Sequence, residues 1–103
     1  MATSTAPVAV AAAMRRLGED VGTWRKLRGL TAAEVADRAG VTRQTVTRLE
    51  SGQDVGTGTL LRVARALGVM DSLAAALDPY ATDVGRLRVE EALPQRVRSR
   101  KAP

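Results

Sequence analysis

An all-α fold follows from three features of the 103-residue sequence. Hydrophobic residues make up 45% of the chain, enough to close a core, yet Phe is absent and Trp24 and Tyr80 are single. Packing therefore falls to Leu, Val and Ala. Ala and Leu are strong helix formers, and the aromatic or β-branched clusters that suit a sheet are scarce. Third, Gly recurs just after apolar-periodic runs, where it stops helices. The length fits one domain with a short arm and a tail.

Residues 1–14 read as an N-terminal extension that is partly helical. Met1 to Pro7 are small or polar and are expected to fray; from Val8 an Ala-rich run joins a helix reaching about Arg28. Leu17, Val21, Trp24 and Leu27 or Arg28 recur at steps of four and three, which predicts one buried stripe, and Gly29 ends the helix. Thr31-Ala-Ala-Glu34 is a capping box, in which hydroxyl and carboxylate satisfy each other's free backbone amides. The short helix it opens runs to Ala39, and Gly40 stops it. Thr42 opens a third helix that Gly52 ends. A fourth spans about Thr57 to Leu67, with Leu60, Leu61, Ala64 and Leu67 expected to face inward and Gly68 closing it. Asp71 is placed to cap a fifth helix, Ser72 to Leu77, which Pro79 terminates. The folded domain is thus expected over residues 15–78.

Residues 79–103 differ in composition. Beyond Tyr80, Arg86, Arg88, Arg96, Arg98, Arg100 and Lys101 sit among three acids and two prolines. Val84 to Val89 alternates weakly, which allows a short strand, and Glu90 to Leu93 suits a helical turn. The segment reads as a basic, mostly disordered tail, available for dimer or partner contact, with its last ten residues disordered. Its Arg residues could also follow phosphates or enter a minor groove. The sequence has no internal repeat.

Charge and missing residue types narrow the chemistry. Sixteen Lys and Arg against eleven Asp and Glu give a net charge of +5, and fourteen of the sixteen are Arg, whose planar fork fits phosphate and guanine edges. A basic balance suits nucleic acid or an anionic membrane without choosing between them. Cys and His are both absent, which removes disulfides, thiol and imidazole catalysis, and the usual zinc ligands. No glycine-rich phosphate loop and no spaced carboxylate pair in an apolar setting is present; Glu90 and Glu91 are adjacent in an exposed-looking tail. No catalytic residue, metal ligand or cofactor is therefore expected, and the chain does not read as an enzyme. The apolar run Ala6 to Met14 is too short to span a bilayer, and no Lys or Arg precedes it as a signal peptide needs. A soluble, cytoplasmic protein without a membrane partner is expected.

Leu30 to Gly52 reads LTAAEVADRAGVTRQTVTRLESG, two short helices joined by a tight glycine-containing turn, which is the helix-turn-helix unit. Ala36 is small where the second helix must cross closely. Gly40 sits where the chain turns and a positive φ is expected. Val41, Val46 and Leu49 are apolar where the second helix packs back. Between them Arg43, Gln44, Thr45, Thr47 and Arg48 are polar and project outward. Arg can make two hydrogen bonds to guanine and Gln two to adenine, while a Thr cap at a helix N-terminus can anchor a phosphate. Polar residues on an exposed helix face need no function by themselves. Their combination with both short helices, the turn glycine and the capping box points to a groove-reading helix, Thr42 to Glu50.

From Leu17 to Val69 the segments LGEDVGTWRKLRGLT, AAEVADRAGVTRQTVTRLESG and TLLRVARALGV resemble the Xre/Cro phage-repressor helix-turn-helix family over about half the chain. The resemblance implies a five-helix, lambda-repressor-like domain between a flexible N-terminal extension and a basic C-terminal tail. It implies a DNA-binding transcriptional regulator, commonly a repressor, that binds an inverted-repeat operator in double-stranded DNA as a homodimer on the nucleoid. By position, Arg43, Gln44, Thr47 and Arg48 become the expected base readers, and Thr31, Thr42 and Thr45 lie near phosphates. Family members often pair the Arg matching Arg25 with the Glu matching Glu50, tying the first helix to the recognition helix. Two departures stand out. Ala32 occupies a position where many relatives carry a phosphate-touching Gln, and Gly56-Thr57-Gly58 replaces the usual Ser-apolar-Glu start of the fourth helix, so a loose start is expected there.

The stretch ALGVMDSLAAALDPYATDVGRLRVEEALPQRVR is similar to HipB-like antitoxins, which are encoded beside HipA-like kinase toxins. The Arg-rich, Lys-poor composition is that of a high-GC bacterial genome. This second resemblance implies an antitoxin that binds a kinase-like toxin and autoregulates its operon. A stand-alone Xre-family repressor, or a protein-interaction module on the same scaffold, are the alternatives; a helix-turn-helix fold does not by itself establish DNA binding.

Overall fold

Each helix begins and ends where short-range chemistry directs it, and their order follows from that punctuation. The computed structural model describes residues 6–93. Helix α1 (Val8–Leu27) is followed by α2 (Ala32–Ala39), α3 (Arg43–Glu50), α4 (Thr57–Leu67), α5 (Met70–Ala75), a 3₁₀ turn (Pro79–Ala81) and α6 (Asp83–Ala92). Among the described residues there is no strand. The chain divides into two compact units, residues 1–70 and 71–103. The expected fraying of residues 1–5 and disorder of residues 94–103, with the basic residues there, lie outside the described residues.

Helices α1 to α4 make the first unit, with α2 packed on both α3 and α4, and α1 on both α3 and α4. Its core is Val21, Val35, Ala36, Ala39, Val46, Leu49, Val63 and Leu67, with Val41, Val55 and Leu60 packed against it. Fully burying a Val or Leu stabilises by roughly 1.5–3 kcal/mol, so this Val- and Ala-rich core draws its stability from close packing. Val41, Val46, Leu49 and Ala36 all face inward as predicted. Gly40 has φ 72°, a left-handed conformation that a Cβ disfavours. Its amide and that of Val41 bond back to the Asp37 and Ala36 carbonyls, closing α2 in one tight turn.

The buried stripe of α1 differs from the predicted one. Gly18, Val21 and Gly22 are buried, with Arg25 half-buried next on the same face. Trp24 is 38% exposed and Leu27 is 69% exposed. The cause is close approach: a Cβ at Gly18 would lie 2.7 Å from the Glu50 carbonyl oxygen and within hard contact of the Leu49 carbonyl. Gly18 lets the backbone of α1 meet the backbone at the end of α3, Gly22 leaves room for the Glu50 side chain, and this crossing sets the rotation of the helix. Trp24 consequently turns outward, where the Arg28 guanidinium sits 5.0 Å from its ring centroid in a cation–π contact. Arg28 Nε also donates to the Leu67 carbonyl at 2.9 Å, binding the C-terminal end of α4.

On α4 the buried residues are Val63, Ala64 and Leu67. Leu61, expected inside, is half-buried, and Val63 takes the fully enclosed place. No side chain caps the start of α4 at Gly56. Asp54 Oδ1 instead accepts from the Gly56 amide at 3.0 Å, so the departure noted in sequence is met by the loop before it.

Helix α5 starts at Met70, ahead of the expected Ser72, and Asp71 lies in its first turn. The chain re-enters helix directly after the Gly68 and Val69 amides close α4, so Asp71 complements the helix dipole and does not act as the cap. In the second unit Asp78 caps the 3₁₀ turn, and Thr82 caps α6 by accepting from the Gly85 amide at 2.9 Å. The weakly alternating Val84–Val89 segment is therefore helical. The Thr82 cap and Asp83 in the first turn are helix-start signals that outweigh an alternation of a few residues. Asp83 also pairs with Arg86 one turn on, and Glu90–Leu93, expected as a separate turn, continues α6 and its cap.

Candidate nucleic-acid interface

Helix α3 is seated on one side and open on the other. Val46 and Leu49 are 0% and 4% exposed, and α3 packs against α1 and α2. Arg43, Gln44, Thr47 and Arg48 all lie on the exposed face. Thr42 caps α3 by accepting from the Thr45 amide at 3.1 Å, which leaves the other first-turn amides directed out of the helix end. The Thr42 and Thr45 hydroxyls are 2.8 Å apart, so one proton is used between them and the other stays free to donate. Thr45 itself is half-buried.

Among these residues Arg48 has local partners. Its Nε donates to Gln53 Oε1 at 3.2 Å and one terminal nitrogen to the Asp54 carbonyl at 3.4 Å. Gln53 and Asp54 thus help position the end of the exposed face, which the sequence reading did not assign. A signal was present in the polar Ser51–Asp54 turn directly after the helix, where side chains can reach back. Arg43 and Gln44 have no such tether among the described residues.

Thr31 lies outside α3, at the start of α2. Its hydroxyl accepts from the Glu34 amide at 3.1 Å and its own amide donates to Glu34 Oε1 at 2.8 Å, completing the capping box. The Thr31 backbone amide, reinforced by its hydroxyl, holds the Glu34 carboxyl below the usual carboxylate range.

The back of α3 is anchored by an ion pair. Arg25 Nε and Nη2 donate to the two carboxylate oxygens of Glu50 at 2.7 and 3.1 Å, and Nη1 donates to the Leu30 carbonyl at 3.1 Å. One guanidinium therefore joins the end of α1, the approach to α2 and the end of α3. The pair is 18% and 19% exposed. Glu50, mainly through these hydrogen bonds, raises the Arg25 pKa above its ordinary value. An ion pair of this kind contributes little net stability once desolvation is counted, so its main effect is directional.

No group of three or more Asp or Glu among the described residues is arranged to hold a metal ion. No helix among them is long and apolar enough to cross a membrane.

Comparison with known proteins agrees with this architecture. A family model described as "Helix-turn-helix" matches residues 22–69, from the α1 stripe to the end of α4. An uncharacterized HTH-type transcriptional regulator from Methanothermobacter thermautotrophicus is 53% identical over 45 residues, 43% of this chain. The match spans 65% of that relative's length. No solved structure matches the chain at a significant level. Over these residues, with a glycine turn between α2 and α3 and an apolar seat beneath α3, the chain is similar to helix-turn-helix regulators.

Proposed function

We propose that the protein is a sequence-specific, DNA-binding transcriptional regulator, acting as a repressor, that lays α3 in the major groove. The observation that carries this reading is the division of α3 into a buried apolar side and an open side bearing Arg43, Gln44, Thr47 and Arg48. These four residues read base edges, with Arg43 and Arg48 suited to guanine and Gln44 to adenine. Thr31, Thr42 and Thr45 contact phosphates, and the Arg25–Glu50 pair holds the reading helix at its angle. The family match and the name of the Methanothermobacter relative support the reading. Selection of bound duplexes from a random pool tests it: an enriched motif is expected. On that motif Arg43→Ala should weaken binding by about 1–3 kcal/mol and relax preference at one base position per half-site. An unenriched pool, or a variant with unchanged affinity and preference, refutes it.

The finer reading is a homodimer on an inverted repeat, with half-sites roughly 34 Å apart. Leu77, Tyr80, Val84 and Leu87 are exposed in the second unit and are the surface assigned to self-association. The likeness of residues 66–98 to HipB-like antitoxins extends the proposal to a HipA-like kinase toxin as partner, bound through the same region and the basic tail. Co-purification from the native host tests that partner, and recovery of the regulator without a kinase would remove it.

A further inference from the structure

A second cluster of cations lies away from the open face of α3. Arg38 in the last turn of α2 and Arg62 and Arg65 on α4 line a cleft of about 500 Å³ floored by Ala39 and Ala66. That volume is within the range of small-ligand sites, roughly 300–1,000 Å³. All three arginines are exposed, and among the described residues neither an ion pair nor a side-chain hydrogen bond occupies any of them. Glu34, one turn before Arg38 on α2, is engaged in the capping box. The cleft adjoins the turn of the motif, since Arg62 Nη1 lies 3.4 Å from where a Cβ on Gly40 would be.

Three like charges around one cleft repel each other unless an anion sits between them. Each guanidinium presents its donors in a planar fork, a geometry matched to the oxygens of phosphate. The small side chains of Ala39 and Ala66 leave the floor open, so an anion can be approached from two helices at once. We infer that this cleft is a phosphate-binding site, taking the anionic oxygens of a tetrahedral phosphate group through Arg38, Arg62 and Arg65. The phosphate comes either from a free phosphate or phosphate ester or from a nucleic-acid backbone. The inference does not rest on the proposed base reading by α3, because a free anion tests it without nucleic acid.

The experiment titrates inorganic phosphate into the full chain at constant ionic strength, balanced with chloride. The arginine side-chain Nε–H and the Ala39, Gly40 and Ala66 amide resonances are followed by NMR. Saturable shifts confined to this set are expected for the wild type and for the control Arg16→Gln. In Arg62→Gln/Arg65→Gln the apparent Kd should rise about tenfold or more, with far-UV circular dichroism showing that the helices persist. A second arm measures the salt dependence of duplex binding for the same proteins. A log–log slope shallower by about 0.9 for each lost contact in the double variant identifies the backbone as the source. Saturation by phosphate with an unchanged slope identifies the free anion. Linear, non-saturating shifts that are equal in wild type and double variant, with an unchanged slope, overturn the site.

Discussion

The two units of this chain are both helical and both rich in Leu, Val and Ala, yet among the described residues only the first has an interior. Helices α1 to α4 converge on a shared core in which Val35, Val46 and Val63 have no exposure at all. In the second unit none of the 3₁₀ turn or α6 is buried, and Leu77 is 91% exposed. The number of apolar residues does not separate them. Convergence does: four helices enclose a volume, whereas the described short helices and turn of the second unit leave their apolar residues exposed. An isolated helix of ten residues is marginal in water, so α6 depends on its Thr82 cap and its packing on the 3₁₀ turn.

This contrast can be broken most directly by truncating one leucine in each unit. Leu67→Ala should destabilise by about 2–5 kcal/mol, read as a shift in the urea midpoint. Leu87→Ala in dilute protein should stay within roughly 0.5 kcal/mol. Equal losses would mean that the second unit has a core of its own. Gly18→Ala comes next. Ala is the better helix former by about 1 kcal/mol, so a gain is expected at an ordinary exposed helix position. Here the added methyl meets backbone oxygens that cannot move aside, and a net loss of about 1–3 kcal/mol is expected in thermal unfolding. A gain in stability would show that the α1–α3 crossing has slack.

Glu50→Gln sharpens the comparison by removing a charge inside the first unit. It leaves Arg25 half-buried without its counter-ion, at about 1–3 kcal/mol, and an equal melting temperature for the variant would count against the pair as an anchor. The smallest effect concerns pH. Glu34 has a depressed pKa in the folded state, so its contribution is complete above the unfolded carboxylate value of about 4.3 and is lost as pH falls through the folded one. Glu34→Gln keeps the cap but cannot titrate. The stability difference between wild type and variant should therefore shrink in acid, and a difference that holds constant from pH 7 to pH 3 contradicts this.

Most of the first unit was legible because its signals are local. The Thr31–Glu34 box, the Thr42 cap and the glycines after α1, α2 and α4 each act over three or four residues, and the helices stop where these stand. What escaped depends on distant partners. Gly18 and Gly22 carry no hydropathy, so a stripe drawn through large apolar residues passed over them and took in Trp24 and Leu27. Val63 outranks Leu61 because of what α2 brings to α4, which periodicity along α4 alone does not contain. In the second unit a weak alternation competed with a Thr cap, and the cap prevailed. At the candidate interface, the exposure of Arg43, Gln44, Thr47 and Arg48 was readable from helical spacing. The attachment of Arg48 to Gln53 and Asp54 was not, because it forms only once the chain has turned beyond the helix.

That attachment bears on how strictly the proposed reader would choose its bases. With Nε and one terminal nitrogen already satisfied at home, Arg48 loses little when the wrong base pair stands opposite, since it has somewhere to rest. Among the described residues Arg43 has no such refuge, and a mismatch there would strand its charge against a groove edge without a partner. Degeneracy in the operator should therefore gather at the position facing residue 48, and stringency at the one facing residue 43.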